Sequence, residues 1–264
     1  MYSFDYQRPS DRAAAVAAIH GDARYLAGGQ SLVQAMKLRL SSAERLVDLG
    51  GIADLQGIKV DAGNVVIGAM TTHAMVAASA DVRKAIPALA ELAAGIADQM
   101  VRNMGTLGGS LANADPAADY PAAVLGLNAT VQTNQRSIAG DAFFTGLYET
   151  ALQPGELITA VSFPVPQKAA YVKFKQPASR FALVGVFVSL AAAGVRVAVT
   201  GAKSSVFRVK AIEDALAGSF TPESAKAVNV PETDINGDMH GSAAYRAAMI
   251  SVIASRAVAA ALAR

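Results

Sequence analysis

Two glycine-rich segments restrict how this chain can fold more than any other feature. The first, Tyr25 to Leu32, reads YLAGGQSL, and the second, Asn103 to Pro121, reads NMGTLGGSLANADPAADYP. Adjacent glycines let a backbone pass close to another group. Polar segments of this kind inside an apolar chain tend to bind a ligand. The fold must therefore accommodate two stretches of backbone that are built for close approach.

The first segment lies between a predicted strand, 24–27, and a predicted helix, 31–40. A second strand is predicted at 45–49, which completes a βαβ unit. The start of a helix offers free N–H groups and a favourable dipole to an anion, and Gln30 and Ser31 add further donors. The segment therefore suits a pyrophosphate, although an ordinary turn with Ser31 as the helix cap remains an alternative.

The second segment is predicted to be mostly loop, from Gly105 to Pro121. Gly108 and Gly109 again allow close backbone approach, and Thr106 and Ser110 offer hydroxyl groups. A structural loop of capped turns is the alternative, with Asp115 before a proline as a turn former.

Common nucleotide and hydrolase motifs do not fit these segments. The chain has no GxGxxG pattern and no glycine followed by lysine, so neither a Rossmann site nor a P-loop is supported. The stretch from Gly108 to Ala112 differs by one residue from a GxSxG nucleophile elbow. A serine hydrolase stays an alternative, but no convincing strand precedes the stretch and His240 is the only later histidine.

Composition excludes several other classes. The chain has 264 residues and no cysteine, so it cannot ligate an iron–sulfur cluster through thiolates. Its three histidines lie far apart, which argues against a zinc site, and no metal site is predicted. A net charge of +2 does not indicate nucleic acid as a partner, and an apolar fraction of 53% supports a large core.

One apolar stretch, Phe181 to Ala202, is long enough to cross a bilayer. Valines recur in it at every second position on either side of Ala192-Ala193-Gly194, and Arg196 interrupts it. This pattern favours a buried β-hairpin. The first residues also lack the order of a signal peptide. We therefore predict a cytoplasmic protein without a membrane span.

The remaining elements follow from periodicity and turn residues. A boundary is predicted at Pro164-Val165-Pro166, because two prolines stop a strand and stiffen a linker. Strands are expected at 57–69 (two, about the turn 61–64), 129–132 and 157–163. Helices are expected at 11–20 with Ser10 as cap, 72–79, 87–100, 121–127, 209–217 and 243–262.

Taken together, AGGQSL and TLGGSLANADPAADYP resemble the paired FAD-binding motifs of the flavoprotein subunits of molybdenum hydroxylases. Three further stretches follow in that family's order: GELITAVSFP from Gly155, YVKFKQPASRFALVGV from Tyr171, and GSAAYR from Gly241. The resemblance covers essentially the whole chain. It implies an α+β fold with a two-part FAD-binding domain of the vanillyl-alcohol-oxidase (PCMH) type. A C-terminal subdomain with a small antiparallel sheet and helices would follow, giving parts at 1–55, 56–166 and 167–264.

The resemblance also implies which residues contact FAD. The first segment would wrap the pyrophosphate through backbone amides, and the second would approach the phosphates and ribityl chain. Ile96, Ile158 and Lys175 match residues near the isoalloxazine ring, although alone the two isoleucines would be plain core and Lys175 part of a solvated basic edge with Lys173 and Arg180. The implied set is Leu26, Ala27, Gly28, Gly29, Gln30, Ser31, Leu32, Ile96, Thr106, Leu107, Gly108, Gly109, Ser110, Asn113, Asp119, Ile158 and Lys175.

The implied function is electron transfer, with no catalytic residue on this chain. A large subunit would carry the molybdenum cofactor, a small subunit would carry two [2Fe-2S] clusters, and FAD here would pass electrons to NAD, a quinone or oxygen. The lack of cysteine agrees with clusters on a separate subunit. A free-standing FAD-dependent oxidase of the same fold and a non-enzymatic binding protein are the alternatives.

Overall fold

The computed structural model describes residues 1–264 and begins with a three-stranded parallel sheet. The middle strand of this sheet pairs in parallel with both others, in the order β1-β3-β2. The predicted βαβ unit is therefore present, and a strand not predicted from the sequence, β1, joins its far edge. The elements are β1 (Asp5–Gln7), α1 (Arg12–Ala17), β2 (Ala23–Leu26), α2 (Leu32–Lys37) and β3 (Arg45–Asp48).

Helix α1 corrects one prediction about its cap. The carboxylate of Asp11, rather than Ser10, accepts a hydrogen bond of 2.8 Å from the backbone N–H of Ala14. The helix also ends earlier than predicted, at Ala17.

A five-stranded antiparallel sheet follows, in the order β4-β5-β10-β6-β7. Strand β10 lies at its centre and pairs with β5 on one side and β6 on the other. A separate two-stranded ribbon, β8 and β9, lies between β7 and β10 in the chain. The strands are β4 (Ile58–Asp61), β5 (Asn64–Gly68), β6 (Thr130–Thr133), β7 (Ser137–Ala139), β8 (Phe144–Gly146), β9 (Glu149–Thr150) and β10 (Ile158–Pro164).

Six helices lie between β5 and β6. The predicted helix at 87–100 is two helices, and the segment predicted as loop, 105–121, contains a helix of seven residues at Leu107–Asn113. Leu107 and Leu111 of that helix are fully buried, so packing of its apolar face offsets the low helix propensity of its glycines. The helices are α3 (His73–Ala78), α4 (Ala80–Ala85), α5 (Pro87–Ala94), α6 (Gln99–Met104), α7 (Leu107–Asn113) and α8 (Tyr120–Gly126).

The carboxyl-terminal part is a four-stranded antiparallel sheet covered by helices. The apolar stretch from Phe181 to Ala202 contains the hairpin of β12 and β13, which closes at Ala191 and Gly194, so the predicted β-hairpin is confirmed. The elements are β11 (Lys168–Lys175), β12 (Ala182–Ala191), β13 (Gly194–Thr200), β14 (Phe207–Arg208), α9 (Lys210–Gly218), α10 (Pro222–Lys226) and α11 (Ala243–Leu262).

Two large apolar cores hold these layers together. The larger contains 30 buried residues, and it joins the five-stranded sheet to Phe187 and Ala198 of the carboxyl-terminal sheet. The smaller contains 17 buried residues between that sheet and the helices α9 to α11. Helix α11 is long and apolar enough to cross a membrane by length and composition alone, and half of its most apolar window is buried in the fold.

Candidate functional site

A cavity of about 350 Å³ opens where the parallel sheet, the helices between β5 and β6, and the β11–β12 connection meet. This volume is in the range of small-molecule and cofactor sites. Both glycine-rich segments line it, together with the 96–97 turn and residues 179–181. The residues that line the cavity therefore come from segments that lie far apart in the sequence.

The two glycine-rich segments touch each other directly at Gly28. A Cβ atom on Gly28 would lie 2.0 Å from the carbonyl oxygen of Met104 and 2.8 Å from the Cα of Gly105. Only glycine permits this approach, because any side chain would overlap backbone atoms. The contact fixes the distance between the two segments on one wall of the cavity.

The first segment contains backbone N–H groups that have no acceptor within the protein. Residues Gly28 to Leu32 line the cavity, and none of their N–H groups donates a hydrogen bond to a protein carbonyl. Gly29 has a left-handed conformation, with φ of 70°, which turns the chain between β2 and α2. Ser31 occupies the N-cap position of α2, but its hydroxyl makes no capping hydrogen bond, so the side-chain cap expected for an ordinary capped turn is absent. Unpaired N–H groups at a turn suit an anion such as a pyrophosphate.

The second segment is more firmly tied to the fold than the sequence suggests. The hydroxyl of Thr106 caps α7 by accepting a hydrogen bond of 3.1 Å from the N–H of Gly109. The N–H of Gly108 donates to the carbonyl of Ala69 at 2.8 Å, and a Cβ on Gly108 would lie 2.6 Å from the Cβ of Ala69. Gly108 therefore serves helix-to-sheet packing, while Gly109, Ser110 and Asn113 lie along the cavity.

Most of the predicted cofactor contacts are brought together here. Three are not part of the lining: Leu26 packs against the small core around Met36, Leu107 is fully buried in the main core, and Lys175 is exposed on β11. The predicted residues that line the cavity are Ala27, Gly28, Gly29, Gln30, Ser31, Leu32, Ile96, Thr106, Gly108, Gly109, Ser110, Asn113, Asp119 and Ile158.

Asp119 is buried, and its carboxylate has two partners within the protein. Its Oδ1 accepts a hydrogen bond of 2.5 Å from the hydroxyl of Tyr171, and its Oδ2 lies 2.9 Å from the Nζ of Lys173. Burial raises the pKa of Asp119, while the charge of Lys173 and the hydrogen bond from Tyr171 oppose that rise. Lys173 is thus not on a solvated edge, since only 9% of its side chain is exposed.

Reasoning from the sequence missed several lining residues. His73 is buried beside Gly105, its Nδ1 has no partner, and burial lowers its pKa to about 4. A lone histidine without a ligand-like spacing gives no signal in the sequence. Tyr25, whose hydroxyl donates to the carbonyl of Gly155 at 3.0 Å, and Glu156 lie in the quoted motifs and could have been found there.

Glu156 anchors the edge of the cavity near the start of β10. Its side chain is fully buried and pairs with Arg136 at 3.0 Å. The hydrogen bond from Arg136 is the main reason that its pKa is lowered to about 2. The carboxylate is therefore a structural anion that is already satisfied by the protein.

Comparison with known proteins matches this site to a flavin-binding family. Residues 2–166 match the family described as "FAD binding domain in molybdopterin dehydrogenase". The chain is 38% identical to the carbon monoxide dehydrogenase medium chain of Afipia carboxidovorans, over 99% of this chain and 98% of that protein. It is 36% identical to the nicotine 6-hydroxylase medium subunit of Paenarthrobacter nicotinovorans, over 90% of this chain and 89% of that protein.

A solved structure gives the same result in three dimensions. The reconstituted carbon monoxide dehydrogenase from Oligotropha carboxidovorans superposes with a TM-score of 0.91 at 36% identity, covering 100% of this chain and 99% of that chain. The free N–H groups and the close approach at Gly28 fit the dinucleotide that this family binds. The chain therefore belongs to the FAD-binding medium subunits of the molybdenum hydroxylase family, as an oxidoreductase subunit that does not carry the molybdenum.

Proposed function

We propose that this chain carries electrons from iron–sulfur clusters on a partner subunit to an external acceptor through FAD bound in the cavity. The observation that carries the proposal is that this chain has groups to bind FAD but none to bind an iron–sulfur cluster. The cavity offers the unpaired backbone N–H groups of residues 28–32, which suit a pyrophosphate, whereas the chain has no cysteine to ligate a cluster. Cofactor and clusters then belong to different subunits of one complex.

The residues of the cavity would bind and orient FAD. Backbone N–H groups of residues 28–32 would hold the phosphates, and Ser110 and Asn113 would supply polar contacts from the opposite segment. Ile96 and Ile158 would pack against the apolar ring. Bound FAD supplies redox chemistry in steps of one or two electrons.

The proposed partners are a large subunit with the molybdenum cofactor and a small subunit with two [2Fe-2S] clusters. The support is the similarity over nearly the full length to proteins named medium chain or medium subunit. NAD, a quinone or oxygen would be the final acceptor, and the complex would act in the cytoplasm.

The test is anaerobic absorbance of the flavin band in the purified, FAD-loaded chain. Chemical reductant should bleach the flavin in the isolated chain. Carbon monoxide or nicotine, which the names of two relatives supply as probes, should not. Addition of the small subunit with its clusters reduced beforehand should then bleach the flavin rapidly.

The alternative function is a free-standing FAD-dependent oxidase of the same fold. Rapid bleaching of the isolated chain by a small organic substrate, with no response to the reduced small subunit, would refute the electron-transfer proposal and favour the oxidase.

A further inference from the structure

A buried ion pair joins the wall of the cavity to the carboxyl-terminal sheet. Lys173 and Asp119 lie 2.9 Å apart with side chains only 9% and 7% exposed. Tyr171 stands two residues before Lys173 on β11, so the two side chains share one face of the strand. Both reach the same carboxylate, one at each oxygen.

The same ammonium group has a second contact on the cavity wall. The Nζ of Lys173 donates a hydrogen bond of 3.0 Å to the carbonyl of Gly95. The next two residues, Ile96 and Ala97, line the cavity, and Ala97 has a left-handed conformation with φ of 41°. Lys173 therefore holds together two pieces of the wall that are far apart in sequence.

Lys175, two residues further on, does not share this arrangement. The register of β11 against β12 shifts between Phe174 and Lys175, and Lys175 is exposed. A shift of register changes the direction in which the following side chain points. Of the two lysines, only Lys173 therefore contacts a residue of the cavity wall.

We propose that Lys173, assisted by Tyr171, is a positioning residue of the FAD site, which keeps the Asp119 carboxylate ionised and fixes the turn at Gly95 to Ala97. This inference rests on the proposed role of the cavity as the FAD site. Lys173 acts through Asp119 and the turn, and does not itself line the cavity. Its effect is on how well the wall is prepared for the cofactor before binding.

The chemistry follows from the burial of Asp119. An ionised carboxylate accepts hydrogen bonds from cofactor hydroxyls more strongly than a neutral carboxyl group does. Three titratable groups face Asp119. Lys173 and Tyr171 come from β11, and Tyr120 is the residue that follows Asp119 in the chain. Lys173 is the only cation among them, so its removal raises the pKa of Asp119 further.

The experiment compares FAD affinity of the full chain across pH, measured by titration with FAD fluorescence. Lys173→Met should weaken binding about tenfold or more at neutral pH, since hydrogen bonds to charged groups are the strong ones. As the pH is lowered, its affinity should begin to fall at a higher pH than in the wild type. Lys210→Met, at a side chain 74% exposed on α9, is the matched control and should bind as the wild type does.

Two further variants separate positioning from general damage to the fold. Lys173→Arg keeps the charge and should restore most of the affinity. Tyr171→Phe removes one hydrogen bond but leaves the ion pair, so it should shift the pH profile in the same direction by a smaller amount even if Lys173→Met folds poorly. Asp119→Asn combined with Lys173→Met should abolish this pH dependence.

The inference is overturned if Lys173→Met and Tyr171→Phe both keep wild-type affinity and pH profile. It is equally overturned if Lys175→Met weakens FAD binding and Lys173→Met does not. Failure of the proposed function gives a different result, because the wild-type chain itself would then bind no FAD.

Discussion

The contact between the two glycine-rich segments can be tested by adding one methyl group at Gly28. In Gly28→Ala the new Cβ would lie 2.0 Å from the carbonyl oxygen of Met104, whereas ordinary contact begins at about 3.4 Å. The two backbones must therefore separate by roughly 1.4 Å. The loop between β2 and α2 has no regular structure of its own, so it is the part that moves away.

The expected magnitude follows from the cost of overpacking. An added methyl group in a well-packed site costs about 1–3 kcal/mol, and each ~1.4 kcal/mol changes an affinity tenfold. Because FAD needs the two segments at their native distance, we expect Gly28→Ala to weaken FAD about ten- to a hundredfold. The fold without cofactor should survive, since the segment lies outside the main cores.

The assay is the dissociation constant for FAD together with thermal unfolding of the FAD-free protein. Gly218→Ala is the control, because a Cβ at this position meets nothing within 4 Å and the residue has no left-handed φ. Wild-type affinity in Gly28→Ala would refute the idea that this contact sets the shape of the FAD site. An equal loss in Gly218→Ala would show that the effect is not specific to the contact.

Two other predictions concern the same wall. Gly109→Val should lose most FAD, because a Cβ at this position would lie 2.9 Å from the Thr106 hydroxyl that caps α7 and 3.3 Å from the Cβ of Ala27. The far-UV circular dichroism spectrum should stay native. Unchanged FAD affinity would rule out this segment as a wall of the cofactor site. Burial lowers the pKa of His73 from 6.5 to about 4, so on acidification the unfolded chain binds a proton at this histidine before the folded protein does. The free energy of unfolding is therefore highest above pH 6.5 and decreases as the pH falls towards 4. Urea unfolding should show a loss on the order of 3 kcal/mol over this range, and His73→Phe should flatten it; an unchanged slope would contradict the assignment.

Sequence patterns predicted those parts of the molecule whose cause is local. Valines at every second position predicted the hairpin of β12 and β13, since alternation reflects a strand in any context. The glycines after β2 likewise predicted a turn with available N–H groups. In both cases neighbouring residues determine the conformation.

Features that depend on distant contacts were not predicted. The glycines of 107–113 indicated a loop. The segment is a helix because Leu107 and Leu111 pack into the main core and stabilise the helical conformation. The partners of Asp119 lie more than fifty residues away in the chain, so no local pattern pairs them. Consequently Asp119→Ala would leave a buried lysine unpaired, which costs about 3–5 kcal/mol, and this variant tests stability as much as cofactor binding.

The ion pair between Asp119 and Lys173 also has a consequence for how this family can be recombined. The segment that matches the FAD-binding family ends at residue 166, yet the carboxylate on the cavity wall depends on two side chains of β11. In a chimera that joins residues 1–166 to the carboxyl-terminal part of a relative, the buried Asp119 carboxylate would have no cationic partner unless that part supplies one. The two parts are therefore expected to be exchanged and inherited together, and a chimera with an unmatched junction should recover FAD when the lysine is restored.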